Sequence, residues 1–141
     1  MSEFCLHPQL VADSLLLGEL PLCLVLLAND RQYPWLILVP KQAKLREIHH
    51  LSESDQQQLM RESCAVAQLL EIELGAEKIN VAALGNMVPQ LHVHHVARFS
   101  SDAAWPAPIW GKHPALAYDK PHTQVSLWQT RLSSLEGFIA A

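Results

Sequence analysis

Charge is scarce in this sequence. Of its 141 residues only 17% are charged against 50% hydrophobic, and the formal net charge is −4. That balance excludes an extended disordered chain, which needs low hydrophobicity and high net charge. Ten Lys and Arg in a net acidic chain also argue against a general nucleic-acid binder, whose phosphate contacts need clustered positive charge. Cysteine is equally sparse. Cys5, Cys23 and Cys64 are widely spaced and include no Cys-x-x-Cys pair, so neither a zinc ribbon nor a thioredoxin-like site is available. Reduced thiols in a cytoplasmic setting follow. Long apolar runs are missing too. The longest, Leu20 to Ala28, contains Pro21 and falls far short of the roughly 20 residues that a membrane helix needs. The N-terminus has neither the basic stretch nor the apolar run of a signal peptide, and the chain reads as soluble and cytoplasmic. No repeat, low-complexity tract or long linker divides it. A chain of this length suits one domain able to bury roughly 70% of its unfolded surface.

What is abundant is histidine, with eight imidazoles beside ten Lys and Arg. Their context comes from the elements around them. Ser14–Leu20, stopped by Pro21, reads as a first strand, although its leucines would also suit a short helix, and Cys23–Ala28 as a second strand, ending at the turn signal Asn29-Asp30. Trp35–Val39, stopped by Pro40, makes an antiparallel hairpin with it. A long helix is expected over Ser54–Leu74, with Ser54 and Gln57 resembling a capping box and Gly75 as C-cap. Leu59, Ser63, Val66, Leu70 and Leu74 form its buried stripe. Lys78–Ala83 and Leu91–Phe99 read as further strands, with a turn at Gly85-Asn86. Trp105 to Gly111 is a Pro-rich loop, and Val125, Trp128, Leu132 and Leu135 space as a C-terminal helix. The fold expected is a single α+β domain, with an antiparallel sheet of about five strands, a long helix packed on it and a helical tail. Residues 1–111 hold the functional domain and 112–141 form a C-terminal extension.

The informative stretch is Gln90-Leu91-His92-Val93-His94-His95-Val96. Side chains alternate along a strand, so Gln90, His92 and His94 share one face, while Leu91, Val93 and His95 share the other. Two strand rises put His92 and His94 about 6.5–7 Å apart. One imidazole can attack a phosphate while its neighbour donates a hydrogen bond or a proton near neutral pH. On the residues alone, the pair could also be surface side chains, or two ligands of a metal that lacks the third and fourth. His7, His49, His50, His113 and His122 complete no recognisable metal spacing, and no cofactor or metal is expected. Trp35 reads as core, Trp105 and Trp110 as a pocket wall, a partner contact or simple packing. Arg98 continues the alternation and could pair with a carboxylate.

This stretch resembles the motif of the histidine triad family of nucleotide hydrolases and transferases: histidines alternating with apolar residues on a strand, followed by two apolar residues. His92 falls on the family's nucleophile and His94 on the third triad position. Gln90 stands where the first histidine would be, as in a bacterial subgroup of the family. The resemblance covers most of the first 111 residues. The hairpin around Asn29-Asp30 looks like the nucleoside-binding hairpin, Asn80 matches an asparagine on the preceding strand, and Gly85-Asn86 resembles a Gly-Gln turn at the α-phosphate. Trp105-Pro106 is similar to a Trp-Pro element of one branch.

The resemblance implies displacement at the α-phosphorus of a substituted nucleoside monophosphate or dinucleoside polyphosphate through a nucleotidyl-histidine intermediate. It gives His92, His94 and Gln90 as the catalytic set and Asn29, Asp30, Asn80 and Asn86 as substrate contacts. It also implies a homodimer built through the long helix and an edge strand; the short apolar runs already argue against a membrane partner. Because Gln90 cannot titrate near neutrality, the alternative is a weakly active nucleotide-binding or scaffolding module.

Overall fold

The protein, a computed structural model describing residues 3–141, is built on one antiparallel sheet of six strands. The strands are β1 (Ser14–Glu19), β2 (Cys23–Ala28), β3 (Trp35–Pro40), β4 (Lys78–Ala82), β5 (Val93–Arg98) and β6 (Ile139–Ala140). Their order across the sheet is β4-β5-β3-β2-β1-β6. The long helix α2 spans Glu53–Leu74, one short helix α1 (Pro8–Asp13) precedes β1, and α3 (Pro121–Leu132) precedes β6.

Apolar periodicity explains most of this. Leu59, Ser63, Val66 and Leu70 are buried on α2 and Leu74 packs half-buried at its end, the stripe read from their spacing. The apolar members of the stripe share one core with Val25, Leu27, Leu36 and Leu38 on one face of the sheet. Each such side chain fully removed from water contributes about 1.5–3 kcal/mol. The cap sits two residues earlier than expected. Ser52, rather than Ser54, accepts the Asp55 N–H at 3.2 Å, and Gly75 closes the helix in the left-handed region at φ 69°.

The tail is part of the same core. Trp128 and Leu132 of α3 are buried with the strands of the first hundred residues, and Leu135 packs on them from beyond the helix end. β6 adds a sixth strand alongside β1, pairing Gly18 with Ala140 and Glu19 with Ile139. A Cβ on Gly18 would meet the Ile139 carbonyl and stand 2.8 Å from the Phe138 ring, so only glycine lets the tail come this close. Helix α1 carries no apolar repeat to announce it. Pro8 at its start and the His7 ring, which accepts the Gln9 N–H at 3.0 Å, set it up locally.

Candidate active site

The second face of the sheet carries the site. β5 pairs with β3, placing His94 opposite Ile37 and Val96 opposite Trp35. The strand begins at Val93, so His92 stands on the residue leading into it. His92 and His94 both line a cavity of about 670 Å³, within the range of small-molecule sites. Their rings lean together, with centroids 4.9 Å apart at 75°, closer than two strand rises. His95 points the other way, where its Nε2 lies 2.7 Å from Ser63 Oγ on α2.

Each imidazole of the pair is held by its Nδ1. The His92 Nδ1 lies 2.7 Å from the Gln90 carbonyl oxygen. A carbonyl only accepts, so Nδ1 carries a proton, and in the neutral ring the Nε2 lone pair is left for a reacting atom. The His94 Nδ1 accepts the indole N–H of Trp35 at 3.0 Å. Burial, with the neighbouring His92 and His95 rings adding to it, pushes His94 down to about 3. It is neutral at physiological pH.

Gln90 does not share this cavity. Its Oε1 accepts the His7 N–H and its Nε2 donates to the Cys5 carbonyl, both at 2.9 Å, so the side chain clamps the N-terminal segment. The residue touches the pair through its backbone oxygen. Asn80 also lies off the cavity lining: its Oδ1 accepts from Arg98 at 2.8 Å. Arg98 is buried and paired with Asp102 at 2.8 Å, stacks over Trp105 at 5.6 Å and donates to the Ala107 carbonyl. Burial would raise the Asp102 carboxyl, but Arg98 and three backbone N–H groups outweigh it and hold the group down to about 2. Arg98 thus anchors the loop that carries Trp110.

Asn29, Asp30 and Asn86 do line the cavity. Asn29 Oδ1 accepts the Tyr118 N–H at 3.0 Å, and Asp30 Oδ1 accepts N–H groups of Gln32 and Leu116. Among the described residues, every bond to the Asp30 carboxylate ends on Oδ1. Residues 115 and 117 of the extension, both alanines, complete this wall. No Lys or Arg lines the cavity, and no three His, Cys, Asp or Glu among the described residues converge as a metal would require.

Two contributors escaped the sequence reading. Trp35, assigned to the core by its place in an apolar strand, is half-buried and lines the cavity, with its ring 5.5 Å from His94. Trp110 closes the other side at 5.3 Å. The extension was the second, since it meets the hairpin turn mainly through backbone groups, the Leu116 and Tyr118 amides and the Pro114, Leu116 and Ala117 carbonyls, which residue types do not announce.

Comparison with known proteins accords with this geometry. The HIT domain family matches residues 9–101. A histidine triad protein from Marinobacter aquaeolei VT8 is 47% identical over 93% of this chain and 94% of its own, with a TM-score of 0.87. One from Bradyrhizobium japonicum is 45% identical over 94% and 97%, with a TM-score of 0.88. The NitFhit protein of C. elegans, 14% identical with a TM-score of 0.62 over 85% of this chain and 27% of its own, shares the fold. A comparison with curated protein sequences returned no match. On these grounds the chain belongs to the histidine triad family, whose members are nucleotide hydrolases and transferases.

Proposed function

We propose that this protein transfers or hydrolyses a nucleotidyl group, cleaving a substituted nucleoside monophosphate or dinucleoside polyphosphate at its α-phosphorus. The observation that carries the reading is the bond between His92 Nδ1 and the Gln90 carbonyl, which leaves Nε2 as a lone pair lining the cavity. His92 Nε2 attacks phosphorus, the bond to the substituent breaks, and its electron pair leaves with the substituent. Water then attacks the nucleotidyl-histidine, the P–N bond breaks back onto Nε2, and the water's proton passes to solvent. His94 donates from Nε2 to a phosphoryl oxygen, and Asn86 and nearby backbone N–H groups stabilise the charge that develops there. Asp30 Oδ2 and the Asn29 amide receive the ribose. Asn80 enters as the partner of Arg98.

Gln90 serves this chemistry through its carbonyl, which any residue at that position supplies. Its side chain does not need to titrate. The reading extends to a cytoplasmic homodimer, for which β4 offers a free sheet edge with exposed Val81, and α2 an exposed Ile72. Sedimentation of the wild type checks the dimer.

The function is tested by incubating protein with adenosine 5′-phosphoramidate and with diadenosine triphosphate. The wild type releases AMP from at least one of the two compounds and yields an acid-labile adenylyl adduct on a peptide containing His92. His92→Ala releases none. Equal turnover by the two overturns the reading. Tight AMP binding without any adduct or turnover would favour a binding module.

A further inference from the structure

We propose that Trp35 is a positioning residue that fixes His94 as a neutral Nε2–H donor, and that this restricts the site to leaving groups able to depart as anions. The inference rests on the nucleotidyl-transfer reading for its substrate half only.

An indole nitrogen donates and never accepts. With Trp35 Nε1 at 3.0 Å, His94 Nδ1 must therefore be the unprotonated nitrogen, and the neutral ring carries its proton on Nε2. Protonating Nδ1 would set N–H against N–H and lose the bond, in a place largely withdrawn from water. The surroundings do not compensate. His94 meets Trp35, Trp110 and His92 ring to ring, with His95 next along the chain. The ionisable groups that share its cavity are Asp13, Asp30 and His92, and neither carboxylate bonds to it. The low affinity of His94 for a proton follows the same sense.

Such a ring stabilises charge but cannot protonate. Giving up its Nε2 proton would leave an anionic imidazole, out of reach near neutrality. The leaving atom must then accept the electron pair of the breaking bond unaided. A phosphate, carboxylate or sulfate oxygen does so readily. An amine nitrogen does not, because it needs a proton as the P–N bond breaks. His92 offers none either, since its Nδ1–H is held by the Gln90 carbonyl. Phosphoanhydrides and mixed anhydrides of a nucleoside monophosphate are thus the substrate class, and phosphoramidates the excluded one.

Two measurements on the full chain test this. In 15N-histidine-labelled protein, two-bond 1H–15N spectra should show His94 with Nε2 protonated and unchanged from pH 8 to 5. Trp35→Phe should give mixed tautomers and a titration in that range. Trp110→Phe, which keeps the Trp35 bond, should keep the wild-type pattern. A wild-type His94 that is cationic, or protonated on Nδ1, overturns the assignment whether or not the protein is an enzyme.

In parallel, kcat/KM is compared for diadenosine triphosphate and adenosine 5′-phosphoramidate. The anhydride should lead by about 100-fold or more, the low end of what a general acid supplies. Trp35→Phe should narrow that ratio about tenfold, most at the acid end of the pH range. Equal wild-type rates, or a ratio unmoved by Trp35→Phe, overturn the substrate restriction. No turnover of either compound overturns the nucleotidyl-transfer reading and the restriction with it, and the spectra then decide the role of Trp35 alone.

Discussion

Asp30 accepts the backbone N–H of Leu116, a residue 86 positions further along the chain. Around that bond the extension is laced to the hairpin turn: Arg31 N–H donates to the Leu116 carbonyl at 2.7 Å, and Tyr118 N–H to Asn29 Oδ1. The cavity wall at Asn29 and Asp30 therefore depends on a segment outside the matched family domain, which ends at residue 101.

Leu116→Pro removes the N–H that Asp30 accepts and disturbs this wall. The expected result is a roughly tenfold weaker affinity for AMP by calorimetry, equivalent to about 1.4 kcal/mol. Adduct formation at saturating substrate should change much less. A loss in adduct rate with unchanged AMP affinity would show that the wall serves chemistry instead of binding.

Gln90→Ala keeps the backbone carbonyl that holds His92 and loses two bonds to the N-terminal segment. Stability should fall by about 1–3 kcal/mol in urea denaturation, while kcat stays within a few-fold of wild type. A collapse of kcat in a folded variant would assign the amide a direct part in the reaction.

Arg98→Met leaves Asp102 buried without its cation and frees the loop that carries Trp110. Removing one member of a buried pair costs about 3–5 kcal/mol. The measurement is the denaturation midpoint of Arg98→Met beside that of Asp102→Asn. Because the pair is shared, the double variant should be markedly less destabilised than the sum of the two.

Acidification should weaken the fold before carboxylates titrate. Burial holds folded His94 at about 3 and His95 at about 4, both below the ordinary histidine value of 6.5. Below that ordinary value the unfolded chain takes up protons that the folded chain refuses, so stability rises with pH across this window and is lost as pH falls. The urea midpoint should therefore drop steadily from pH 7 to pH 4.5. A His94→Asn variant should show a shallower slope, and an equal slope would mean that the ring titrates normally in the folded protein.

The strands, the α2 stripe and the assignment of His92 and His94 to one face were legible because each depends on local spacing. Leu59 to Leu74 needed only the helical period, and His94 against His95 only the pleat. The rest lies in contacts that spacing does not encode. Gln90 was placed with the histidines by alternation, yet the chain leaves strand geometry before Val93 and its amide turns to His7, 83 positions away. Trp35 looked like core because an apolar strand with a following proline carries no signal of which face opens onto a cavity. The sixth strand was invisible for a similar reason: Ile139-Ala140 is too short to show a pattern, and Gly18 reveals why it fits only once β1 is seen beside it.

Placing two indoles within 5.5 Å of one imidazole has an optical consequence. Of the four tryptophans, Trp35 and Trp110 line the cavity, while Trp128 is buried in the opposite core beneath Arg131. A nucleotide base entering the cavity would displace water from the first two alone and alter their emission. Trp110→Phe and Trp35→Phe should each remove part of that change, so a titration of intrinsic fluorescence with AMP would read occupancy without a label.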